Sequence, residues 1–181
     1  MKKIILLAAI LAFGFTNAQE TKFGLKGGLN MASLTNSDGG KSLMSFNFGG
    51  FAEIKLNEKF AVQPELLYSG QGAKYPDVGN FSMNYIYVPI MAKYFISDKF
   101  NIQAGPQVGF LMSAKLDGMD LKDQVKSTDF GLNLGTGYDF TKNIGINLRY
   151  SIGLIQTQKE LQDGEVSSKN SVIQLSVGYK F

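Results

Sequence analysis

Apolar and polar residues alternate one for one along most of this chain, over runs too long for ordinary soluble strands. In 130–140, Phe130, Leu132, Leu134, Tyr138 and Phe140 share one face, while Gly131, Asn133, Gly135, Gly137 and Asp139 share the other. The pattern continues with Ile144, Ile146, Leu148, Tyr150, Ile152 and Leu154 against Gly145, Asn147, Arg149, Ser151 and Gly153. It ends with Ile173, Leu175, Val177, Tyr179 and Phe181 against Gln174, Ser176, Gly178 and Lys180. Period two means strand, and helical periodicity is nearly absent. Similar stretches at 22–32, 45–56, 60–70, 84–95 and 100–112 bring the count to eight strands. At roughly 11 to 13 residues, most are about twice the usual soluble length and suited to crossing a bilayer at a tilt.

The connections alternate in length. Asn57-Glu58-Lys59, Ser97-Asp98-Lys99 and Thr141-Lys142-Asn143 are tight turns, whereas the segments near 34–43, 73–83, 113–127 and 157–170 read as longer polar loops. Short turns on one rim and long loops on the other predict an all-β, antiparallel, up-and-down transmembrane barrel of eight strands. The N-terminus fits export: Lys2 and Lys3 precede an apolar run from Ile4 to Phe15, then the small residues before Gln19. That run is too short to span as a helix. Residues 1–18 are therefore expected to be a cleaved signal peptide, and 19–181 the barrel domain. Lys2 and Lys3 leave with it and no acid does, so the formal charge falls from +3 to +1. Nothing in that balance calls for nucleic acid.

A soluble lipocalin-like barrel would alternate equally well with its apolar face inside. Three features put the apolar face outside. The polar face collects glycine, which a narrow interior accommodates and a water-facing strand does not favour. Aromatics gather at two levels: Phe60, Phe95, Phe100, Tyr138 and Phe140 near the short turns, and Phe46, Tyr68 and Phe110 near the long loops. That layout suits the two membrane interfaces. The last strand ends on Tyr179 and Phe181 without a polar tail.

Chemistry is hard to assemble here. The chain has no His and no Cys, which removes the usual general base, thiolate sites and a disulfide framework. Asp117, Asp120 and Asp123 lie among lysines at spacings foreign to a calcium loop. No catalytic, cofactor or metal site is expected. The charges on the inward face are more informative: Glu53, Glu65, Lys93, Asp129 and Arg149. Glu65 and Arg149 each stand about five residues above their short turns, and Glu53 and Lys93 two to three. Buried charge is costly unless paired, so these five are expected to form one interior ion network plugging the lumen. A selectivity ring in an open pore is the rival reading.

Several segments carry a family resemblance: Pro64-Glu65-Leu66-Leu67-Tyr68-Ser69, Tyr87-Val88-Pro89-Ile90 with Lys93-Tyr94, and Ala104-Gly105-Pro106-Gln107-Val108-Gly109-Phe110. Asp129-Phe130-Gly131-Leu132, Gly135-Thr136-Gly137-Tyr138 and Leu148-Arg149-Tyr150-Ser151 follow in order. Together they resemble the Bacteroidetes outer-membrane β-barrel family, a porin-like group that includes PorT-type proteins. The resemblance implies an eight-stranded barrel in the cell outer membrane, with membrane lipid as its surroundings. It also implies that the barrel-insertion machinery reads Tyr179 and Phe181 during biogenesis. The expected function is non-enzymatic: surface interaction, adhesion or envelope integrity through extracellular loops, whose partner the sequence does not name. A small-solute channel is the alternative, and a PorT-like accessory of protein secretion a further one.

Overall fold

The computed structural model describes residues 20–36, 39–76, 78–159 and 167–181. The leader and its cleavage point before Gln19 lie outside the described residues. Eight long strands form the wall: β1 (Glu20–Leu34), β2 (Lys41–Lys55), β3 (Phe60–Tyr75), β4 (Gly79–Phe95), β5 (Phe100–Leu116), β7 (Thr128–Asp139), β8 (Ile144–Gly153) and β9 (Asn170–Lys180). A two-residue strand, β6 (Met119–Asp120), folds back on the end of β5. Neighbours pair antiparallel in the order β4-β3-β2-β1-β9-β8-β7-β5, and pairing of β4 with β5 closes the cylinder. Every edge of the wall is consumed by closure, so the backbone is satisfied without water.

The outward register matches the alternation. Phe23, Leu25, Leu132, Leu134, Leu148 and Leu175 stand exposed, Leu134 at 66%. Lys26, Asn30, Glu65, Asn133, Arg149 and Ser176 are buried inside. An apolar band encircling a polar interior is stable in lipid and not in water.

Two expectations change. The segment 73–83 is not a long polar loop: β3 and β4 stay paired from Ala73↔Phe81 to Tyr75↔Gly79. The reason is a reversal of phase. Above the apolar band Lys74, Asn80 and Lys115 are exposed, while Ala73, Met83, Tyr85 and Ala114 are fully buried. Polar residues now face out and apolar residues in, as water on the outside requires. Phe95 also leaves the aromatic girdle: it points inward at 7% exposure, and Tyr94 takes the outward place, its ring 5.0 Å from Phe60.

Two glycines show what the narrow wall demands. A Cβ on Gly28 would fall 1.9 Å from the Leu175 carbonyl oxygen, a close strand approach that no side chain permits. A Cβ on Gly109 would lie 2.4 Å from the Tyr87 ring, so this glycine makes room for an aromatic in the lumen.

Candidate functional site

The lumen is the site, and it is filled. At mid-height Glu65 reaches from β3 across the barrel to Arg149 on β8, a strand that is not its neighbour. The two guanidinium nitrogens donate to the two carboxylate oxygens at 2.9 and 2.8 Å, the paired-fork geometry that arginine offers a carboxylate. Lys26 on β1 donates to the same carboxylate at 3.0 and 2.9 Å, and Gln63 adds a bond of 2.7 Å. Nearer the short turns, Glu53 on β2 accepts from Lys93 on β4 at 2.5 Å and from Lys180 on β9 at 3.1 Å. Lys180 also donates to Asp139 on β7 at 2.9 Å. Gln63 joins the two levels, donating to Glu65 while its own oxygen accepts from Lys93 at 3.1 Å. The result is one continuous web of four cations and three carboxylates.

Four of the five charges singled out in the sequence are in this web: Glu53, Glu65, Lys93 and Arg149. Asp129 is not. It sits at the long-loop end of β7, opposite Gly109, and accepts from the Tyr87 hydroxyl at 2.5 Å and from Asn170 at 3.1 Å. Counted upward from the turn at 141–143, Asp129 is near the top of its strand, too high to reach Glu65 or Glu53. Lys26, Asp139 and Lys180 belong to the web without having been singled out. Lys180 and Asp139 lie on the polar face beside the short turns, at the height of Glu53, and that height was the available signal. Lys26 is on the inward phase of β1, between Leu25 and a glycine pair.

The rest of the lumen is packed with amides and then with apolar side chains. Asn30 donates to Ser69 at 2.9 Å and accepts from Asn47 and Gln174 at 2.8 and 3.2 Å. Above the web, a cavity of about 10 Å³ lined by residues including Gln71 and Arg149 has room for about one water. Higher still, Leu34, Met83, Tyr85, Tyr87, Leu111 and Val125 form a buried apolar cluster. Val125 comes from the loop after β6, which is tied to the last long loop by a bridge to Gln158 and by Lys126 N–H to Thr157 C=O at 2.8 Å. Tyr179 and Phe181 project outward, their rings edge to face at 5.5 Å, with Phe181 68% exposed.

A closed antiparallel wall of eight strands, an apolar belt outside and ion pairs inside define an integral outer-membrane β-barrel. Residues 17–159 match the family model described as outer membrane protein beta-barrel domain, and the chain belongs to that family. No curated protein matches it in sequence. Among solved structures it is similar to Neisserial surface protein A, at TM-score 0.60 and 15% identity over 90% of this chain and 100% of that one. It is also similar to Ail, the attachment invasion locus protein of Yersinia pestis, at TM-score 0.55 and 18% identity with the same coverage. At such identities the likeness is one of fold.

Proposed function

We propose that this barrel is a non-conducting, non-enzymatic membrane scaffold whose extracellular end performs its work: surface adhesion, partner docking or envelope integrity. The observation that carries this reading is closure of the lumen at two separate heights, by the Glu65–Arg149–Lys26 cluster and by the Tyr85–Tyr87–Leu111 cluster above it. A small barrel filled by side chains leaves its rims as the places for contact. The paired wall of β3, β4 and β5 above the apolar belt, with the segments at Val125 and Gln158 bridged to each other, offers a surface there. Ail, named for attachment and invasion, shares this fold, and one of its structures holds the heparin analogue sucrose octasulfate. The porin-like Bacteroidetes resemblance, and with it a secretion accessory role, rests on the segments from Pro64 to Ser151.

Planar-bilayer recording of the purified protein tests the first half of the proposal. A flat trace with no steady open state is the expected result; a sustained open conductance would replace the scaffold with the channel. Cells displaying the protein should bind immobilised sulfated glycan or host surface more than cells lacking it. Equal binding would remove adhesion and leave envelope integrity, read as unchanged detergent sensitivity or its loss.

A further inference from the structure

We propose that the short-turn mouth of the barrel is a binding site for a small, multiply charged anion bearing phosphate or carboxylate groups. Between the rim and the ion web lies a cup of about 320 Å³, within the usual range of ligand pockets. Its floor is preformed: Lys180 is bonded to both Glu53 and Asp139 and cannot swing away without taking from Asp139 its cation and leaving Glu53 to Lys93 alone. The inward Phe95 makes part of the wall, with the Lys55 ammonium 5.6 Å from its ring centroid.

The charge on this cup is unbalanced. Lys22 has Glu20 at 3.2 Å, but Lys55, Lys99 and Lys142 have no carboxylate within ion-pair distance among the described residues. Against these three stands Asp98, itself unpaired among the described residues. Lys99 and Lys142 come from two of the three tight turns, so the hairpins that close the barrel also deliver the charge. Three cations around a concave mouth with low-dielectric walls focus a positive potential into it, unlike the same lysines scattered over a convex surface. Short turns face the periplasm in this architecture, where phosphate occurs on lipid headgroups and carboxylate on cell-wall peptides. Either group fits the chemistry of the cup, and a ligand with two or three charges could bridge the lysines from the separate hairpins.

Calorimetric titration of the folded full-length protein in zwitterionic detergent with tripolyphosphate, and separately with citrate, tests this. Saturable binding of one anion per barrel is expected, with tripolyphosphate the tighter if the physiological group is phosphate and citrate if it is carboxylate. The K99Q/K142Q variant should bind about tenfold more weakly. K41Q/K74Q, which changes two exposed lysines paired at the opposite end of the barrel, should bind as the parent does. Heat-modifiable migration on a gel shows that each variant is folded. No saturable binding of either anion, full binding by K99Q/K142Q, or an equal loss in K41Q/K74Q overturns the site.

Discussion

Glu65 is the residue on which the interior depends, because two cations share it. Removing the carboxylate leaves Lys26 and Arg149 buried and facing each other; removing Arg149 leaves Glu65 with Lys26 still bonded to it. The two single changes should therefore differ. Glu65→Gln is expected to cost about 3–5 kcal/mol, the range for an uncompensated buried charge, and Arg149→Met about 1.5–3 kcal/mol for its charged hydrogen bonds. The double variant should lose less than the sum of both. Urea unfolding in lipid vesicles measures all three, and additive losses would show that the pair acts independently. The pairing of Glu65 with Arg149 was legible because equal heights above short turns can be counted along a strand. Lys26 was not, since none of the three tight turns read from the sequence adjoins β1 and gives a height to count from. Asp129 was misplaced for the opposite reason: its inward phase was read and its height was not.

At the level of elements, the phase of alternation carries the information, and the environment of each strand segment sets that phase. On β7, β8 and β9 one phase holds from the short turns nearly to the strand ends, and the sequence displays the whole fold there. On β3 and β4 the phase reverses where the wall leaves the apolar belt, which disguised paired strand at 73–83 as loop. Segments inside the belt should accordingly be intolerant of charge on the outer face. Leu148→Arg, at mid-strand and 49% exposed, should cost about 2–4 kcal/mol near the bilayer midplane. Asn147→Ser, one residue away, gives up a 3.0 Å bond from Gln103 and should cost about 1 kcal/mol. Refolding titrations into vesicles compare them, and a milder Leu148→Arg would invert the two faces.

For the whole molecule, the two fillings are of different chemical kinds and should act as separate barriers. The ion web is held by charges that converge from β1, β2, β3, β4, β7, β8 and β9, so it braces the cylinder as well as blocking it. The upper cluster excludes water through apolar contact between Met83, Tyr85, Tyr87 and Leu111, with Val125 seated from its loop. An ion crossing the barrel must pass both. Clearing the mid-height tier of the web alone, with K26A/E65A/R149A, removes all three of its charges together and so leaves none of them unpaired, while the Glu53–Lys93–Lys180–Asp139 tier stays in place. The variant should stay electrically silent in planar bilayers, because a narrow apolar constriction blocks ions by dewetting. Adding Y85A and Y87A removes two large fully buried side chains from that constriction and should produce steady ohmic steps. Heat-modifiable migration of each variant separates a folded, closed barrel from an unfolded one. Conductance in the triple variant would show that the Lys26–Glu65–Arg149 cluster is the sole gate. Silence in the folded five-residue variant would show that the Glu53–Lys93–Lys180 tier, or the bridged segments at Val125 and Gln158, close the barrel without help from the tyrosines.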